Sequence, residues 1–161
     1  MLAIIWYSRT GASAALAEAA AAGAREGEGV KPVLVPAEAA RPEDLLGAAG
    51  YLFVGPENLA ALSGAMKEMF DRCYYPLLGR IEGRPYATII SAGTDGRGAQ
   101  AQLDRIVTGW RLRRVAEPMI VLSGAQTPEQ ILAPKRASTV SLDEARQLGH
   151  ALSAGLALGV F

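Results

Sequence analysis

Three hydroxyl-bearing residues and a glycine follow the first apolar run of the chain. The run Leu2–Tyr7 has no polar residue, and Ser8, Thr10, Gly11 and Ser13 come directly after it. The hydroxyls can donate hydrogen bonds, and the glycine lets a ligand approach the backbone N–H groups. The alanine-rich helix predicted to follow from Ala14 would add the positive end of its dipole. The spacing therefore predicts an anion-binding loop, with a plain turn and helix cap as the alternative.

The sequence of this loop excludes two common nucleotide-binding motifs. The chain has neither the G-x-x-x-x-G-K-[ST] pattern of nucleoside triphosphate sites nor the G-x-G-x-x-G pattern of dinucleotide sites. What remains is S-x-T-G-x-S directly after the first predicted strand. This pattern resembles the flavodoxin-type phosphate loop, which holds the 5′-phosphate of FMN. The resemblance implies that Ser8, Thr10, Gly11, Ala12 and Ser13 hold that phosphate.

Short apolar runs alternate with helical patterns along the whole chain. Predicted strands cover residues 2–7, 31–35, 50–55, 85–91 and 118–122. This alternation predicts one α/β domain over residues 1–161, with a parallel, doubly wound sheet and helices on both faces. The resemblance implies a flavodoxin-like three-layer sandwich with five parallel strands in the order 2-1-3-4-5. The loops after strands one, three and four then meet at one edge, where such sheets bind ligands.

Composition excludes several classes of function. The chain has 16 basic and 16 acidic residues, so its net charge does not indicate nucleic acid or an anionic membrane as a partner. A single cysteine excludes an intrachain disulfide and a cysteine-ligated cluster or zinc site. No apolar stretch approaches the roughly 20 residues of a membrane span. We expect a cytoplasmic protein that holds no metal and contacts neither membrane nor nucleic acid.

A second resemblance covers the region after the third predicted strand. Following Gly55-Pro56, the stretch Ser63–Asp71 reads SGAMKEMFD. It is similar to the corresponding loop and helix of FMN-dependent NAD(P)H:quinone oxidoreductases of the Trp-repressor-binding-protein type, and of NADPH-dependent FMN reductases. The resemblance implies FMN as the cofactor, NADPH or NADH as transient electron donor, and a quinone or similar small molecule as acceptor. It implies no catalytic side chain, because the flavin carries the chemistry.

The resemblance also assigns residues around the flavin ring. By position, contacts to the isoalloxazine fall to Pro56, Glu57, Asn58 and Leu59. The other edge of the ring and the ribityl chain fall to Ala92, Gly93, Thr94, Asp95, Gly96 and Arg97. The roles of two charged residues stay open. Arg9 either pairs with the phosphate or faces solvent. Asp95 is either a turn residue or a polar contact to the flavin.

Three functions stay open at this point. An FMN-dependent oxidoreductase is favoured over a flavodoxin-like electron carrier because known flavodoxins are strongly acidic, whereas this chain is neutral. A flavodoxin fold without flavin, used for protein interaction, is the third. The apolar run Leu59–Leu62 near the proposed flavin edge, together with the related quinone reductases, predicts a homodimer or homotetramer.

Overall fold

The computed structural model describes all 161 residues and has a mixed sheet at its centre. Its strands are β1 (Leu2–Trp6), β2 (Pro32–Pro36), β3 (Gly50–Asn58), β4 (Ala61–Leu62), β5 (Pro85–Ala92), β6 (Arg113–Arg114) and β7 (Met119–Leu122). The main path runs β2-β1-β3-β5, and both β6 and β7 pair with β5 in parallel. The predicted order is confirmed, with the fifth predicted strand represented by β7 and the short β6 beside it.

Register places the carboxyl ends of β1, β3 and β5 side by side. Trp6 lies opposite Val54, and Pro56 lies opposite Ser91. We call this edge of the sheet, with the loops that leave it, the carboxyl edge. The prediction that the loops after these three strands meet at one edge is confirmed.

Six helices surround the sheet, and five of them cover its two faces. They are α1 (Ala12–Ala24), α2 (Pro42–Leu46), α3 (Gly64–Leu77), α4 (Arg97–Gly109), α5 (Pro128–Leu132) and α6 (Thr139–Leu158). Helices α1 and α6 pack on one face, and α2, α3 and α4 pack on the other. The result is the three-layer sandwich that the alternation of strands and helices predicts. None of these helices combines the length and apolar character needed to cross a membrane.

The core under α3 and α4 is aromatic and fully closed. Phe53 lies 5.2 Å from Phe70 between ring centroids, and Phe70 lies 5.1 Å from Trp110 in an edge-to-face arrangement. Cys73, on the inward face of α3, is buried, and burial raises the pKa of its thiol. Cys73 is therefore a core residue.

The other face depends on close contact between two small-residue helices. In α1 nine of the 13 residues are alanine, and Gly149 and Gly155 are buried in α6. A β-carbon built at Gly149 would lie 1.9 Å from the carbonyl oxygen of Ala20, and one built at Gly23 would lie 1.9 Å from that of Arg146. The two backbones therefore touch directly, which fixes the position of α1 and of the loop before it.

Two element boundaries differ from the predictions near the carboxyl edge. Helix α1 begins at Ala12 rather than Ala14, because Gly11, in the left-handed region at φ 109°, takes the N-cap position. Strand β3 continues to Asn58, so Pro56, Glu57 and Asn58 are strand residues rather than a free loop. They belong to a hairpin in which Asn58 pairs with Ala61.

Candidate functional site

The loop between β1 and α1 is shaped by its own short hydrogen bonds. Ser8 Oγ accepts from the backbone N–H of Gly11 at 3.1 Å, which closes the loop. The hydroxyl of Thr10 is half-buried and has no hydrogen-bond partner, and Arg9 is exposed and forms no ion pair. Ser8 can still donate its hydroxyl proton, because its oxygen acts as the acceptor in the bond to Gly11. Ser8 and Thr10 therefore keep free hydroxyl donors at the predicted place.

The N-terminus of α1 has no side-chain cap. The backbone N–H groups of Ala12, Ser13 and Ala14 donate to no acceptor in the protein. By contrast, Ser63 caps α3 and Ser138 caps α6 through their hydroxyls. Unpaired N–H groups at a helix start favour an anion, and here the hydroxyls of the preceding loop lie next to them.

The hydroxyl of Ser13 is not among the free donors at the start of α1. The side chain is buried, and its Oγ lies 2.7 Å from Ser91 Oγ on β5. This hydroxyl was predicted to be one of three donors to an anion, but in the structure it ties α1 to the sheet. Only the backbone N–H of Ser13 is free for a ligand.

The β3–β4 hairpin forms a second wall of the carboxyl edge. Its turn residues, Leu59 and Ala60, have φ values of 51° and 58°, in the left-handed region that favours glycine. Such residues cost roughly 1–2 kcal/mol each. The hairpin is held to α4 by Gln102, whose side-chain oxygen accepts from the Leu62 N–H at 2.7 Å. Leu59 is fully exposed at the tip, whereas Leu62, predicted to be partly exposed, is buried.

Glu57 has a structural partner that the sequence analysis did not predict. Its carboxylate oxygens accept from the backbone N–H groups of Gly96 at 2.9 Å and Ala99 at 3.0 Å. The carboxylate thus caps α4 and satisfies the positive end of its dipole. Glu57 was predicted to contact the flavin ring, and its carboxylate is instead occupied in joining the hairpin to the loop after β5.

The loop after β5 forms the third wall. Ala92 is the last residue of β5, Gly93 is half-buried, and Thr94 and Asp95 are exposed. Gly96, at φ 84°, is the N-cap of α4, and Arg97 is its first residue rather than part of the loop. Asp95 Oδ1 accepts from Arg97 Nε at 2.5 Å. Of the two alternatives for Asp95, this contact supports the turn residue.

Residues 123–138, which we call the edge segment, cross the carboxyl edge between β7 and α6. The N–H of Ser123 donates to the Ala92 carbonyl at 2.9 Å, and that of Gly124 donates to the Gly93 carbonyl at 2.8 Å. Further along, the N–H of Lys135 donates to the Thr10 carbonyl at 2.6 Å. The segment therefore contacts both the loop between β1 and α1 and the loop after β5. No motif in the sequence predicts that the edge segment crosses the carboxyl edge. The one signal is its length, which exceeds that of most connections between elements.

A cavity lies at the opposite end of the molecule. It has a volume of about 420 Å³ and is lined by residues after α1 and near the end of α6, including Gly27, His150 and Leu158. No group of histidine, cysteine, aspartate and glutamate residues is arranged to hold a metal ion.

Comparison of sequences finds similarity to one kind of protein. No protein-family model matches the chain. A flavodoxin from Aquifex aeolicus (strain VF5) is 34% identical over 105 residues, which cover 65% of this chain and 57% of that flavodoxin. The match thus spans little more than half the length of that relative.

Comparison with solved structures extends over nearly the whole chain. A flavodoxin from the domain Archaea superposes with a TM-score of 0.78 at 17% identity, covering 97% of this chain and 99% of its own. A WrbA-like flavodoxin from Agrobacterium tumefaciens gives a TM-score of 0.77 at 16% identity, covering 98% and 97%. The Flv1 flavodiiron core from Synechocystis sp. PCC6803 gives 0.78 at 17% identity, covering 98% of this chain but 36% of its own. With the strand order and layers described above, these matches show that the chain has the flavodoxin-like fold.

Proposed function

We propose that this protein binds FMN at the carboxyl edge and transfers electrons through it. The observation that carries the proposal is the donor set of the first loop, in which free hydroxyls of Ser8 and Thr10 adjoin the uncapped N-terminus of α1. A dianionic phosphate matches a site built from N–H and O–H donors with no acidic side chain among them. The flavodoxin-like fold and the similarity to a flavodoxin support the same cofactor.

The residues of the chain have defined tasks in this proposal. The first loop and the start of α1 hold the phosphate and so fix the cofactor in position. The hairpin around Leu59 and the loop at 93–95 border the place of the ring, and neither carries an aromatic side chain. When bound, FMN would supply the chemistry of hydride and single-electron transfer. The protein orients the cofactor, and the hairpin and the loop at 93–95 leave the ring open to a second molecule.

We further propose that NADPH or NADH reduces the bound cofactor directly and that a quinone-like small molecule takes the electrons. Two features support this activity. Residues 56–62 and 92–97 contain no aromatic side chain that would cover a flavin ring. The net charge of the chain is +0, so it lacks the acidic surface that steers a carrier to a basic protein partner. An electron carrier is the second candidate, favoured by the similarity to the Aquifex aeolicus flavodoxin.

Anaerobic mixing separates the two candidates. The protein loaded with FMN is expected to lose its yellow colour within seconds of adding NADPH or NADH, because an open ring face admits the nicotinamide. Benzoquinone should then restore the colour. If dithionite bleaches the protein at once while both nicotinamides leave it yellow for minutes, the carrier is the correct function. A protein that does not retain FMN at all would overturn both.

Self-association is part of the proposal for the assembled protein. Leu59, Leu122, Ile131 and Leu132 are exposed at or beside the carboxyl edge, and burying such residues favours contact with a second copy. Light scattering at micromolar concentration is expected to give at least twice the chain mass of 16.9 kDa. Leu59→Asp should lower that mass, since it places a charge at the tip of the hairpin. A wild-type mass equal to that of one chain would contradict this expectation.

A further inference from the structure

The edge segment brings a second cation to the first loop. The N–H of Lys135 donates to the Thr10 carbonyl at 2.6 Å, and the Lys135 carbonyl oxygen lies 3.1 Å from the position of a β-carbon on Gly11. The peptide bond between Lys135 and Arg136 therefore lies against Gly11, the N-cap of α1. Arg136 thus directly follows a residue whose main chain contacts the first loop, although Arg136 and Arg9 are 127 positions apart in the sequence.

The two basic residues of this part of the segment differ in what they can still bind. The ammonium group of Lys135 donates to the backbone carbonyls of Gln130, Ile131 and Ala133, so it closes the end of α5. Arg136 is exposed and forms neither a hydrogen bond nor an ion pair with any residue. Arg9, on the other side of Thr10, is equally unpaired. Only the two guanidinium groups are free to bind an anion here.

We propose that Arg136, together with Arg9, binds the phosphate of the cofactor and makes the protein select the phosphorylated flavin. This inference rests on the proposed function. A phosphate monoester carries about −1.5 to −2 charges at pH 7. The hydroxyls and N–H groups of the first loop offer hydrogen bonds but no formal charge, and a guanidinium adds charge-assisted, bidentate bonds to phosphate oxygens. The edge segment is thereby a binding element, contributed by a part of the chain far from the recognised loop.

The test compares two flavins that differ only in the phosphate. Dissociation constants for FMN and for riboflavin are measured by quenching of flavin fluorescence, at low and high salt, for the wild type, Arg136→Gln and Arg9→Gln. Arg25→Gln is the matched control, because Arg25 is an exposed, unpaired arginine that caps the opposite end of α1. Circular dichroism checks that each variant is folded.

Arg136→Gln is expected to weaken FMN binding about tenfold, the effect of one charge-assisted bond, and to leave riboflavin binding unchanged. The loss should shrink at high salt because the interaction is exposed. Arg25→Gln should bind both flavins as the wild type does. Equal FMN affinities of wild type and Arg136→Gln would overturn the inference alone. A wild type that binds neither flavin would overturn the proposed function and this inference with it.

Discussion

Gly149→Ala is expected to lower the free energy of unfolding by about 3 kcal/mol, the upper part of the range for overpacking a tight interior. The new methyl group would lie 1.9 Å from the carbonyl oxygen of Ala20, and this atom is backbone, so no side-chain rotation relieves the clash. Helices α1 and α6 would have to separate along their alanine faces. Urea unfolding followed by circular dichroism measures the loss, with an unchanged m-value showing that the cooperativity is retained.

The control for this substitution is Gly109→Ala at the last residue of α4. A β-carbon there meets no atom within 4 Å, and alanine is the better helix former by up to about 1 kcal/mol. Gly109→Ala should therefore leave the stability unchanged or raise it slightly. If Gly149→Ala behaves like Gly109→Ala, the contact between α1 and α6 does not limit how the sheet face is packed. The distinction matters for function, because α1 carries the uncapped N-terminus of the candidate site.

The fold could be predicted from the sequence because its signals are local and repeated. Each apolar run that predicts a strand is followed by a helical pattern, and alternation of this kind allows few topologies. Helix boundaries are harder to predict where two residues of similar chemistry compete for the N-cap position. Ser141 opens a capping-box pattern in the sequence, yet α6 begins at Thr139 because Ser138, three residues earlier, accepts from the Ser141 N–H. At Thr127 only one such residue is available, and the capping box that the T-x-x-Q pattern indicates is present.

The contacts of the candidate site were harder to predict because their partners are distant in sequence. Glu57 caps α4 through residues 39 and 42 positions away, and Ser13 bonds to a serine 78 positions away. Neither pairing leaves a pattern in the chain. The hairpin was missed for another reason: Leu59 and Ala60 occupy a turn that sequence rules reserve for glycine and asparagine. Only the first loop, whose residues are consecutive, could be recognised directly.

Thr10→Ala is expected to weaken FMN binding by tenfold or more while leaving riboflavin binding unchanged. The hydroxyl of Thr10 has no partner within the protein, and the main chain at this residue is held independently by the bond from Lys135 to its carbonyl. Removing the hydroxyl therefore removes a donor to the ligand without loosening the loop. A hydrogen bond to a charged group contributes roughly 1.5–3 kcal/mol, which corresponds to a factor of about ten or more.

Thr10→Ser serves as the matched variant, since it keeps the hydroxyl and loses only a methyl group. It should bind FMN within about twofold of the wild type, a difference well below the effect of one charged hydrogen bond. Titration of each protein with both flavins gives the four constants needed. If the wild type binds riboflavin as tightly as FMN, the first loop does not hold the phosphate, and the donors at the start of α1 need another ligand. If FMN is preferred but Thr10→Ala retains that preference, the N–H groups of α1 and the arginines beside them account for phosphate binding without the hydroxyl.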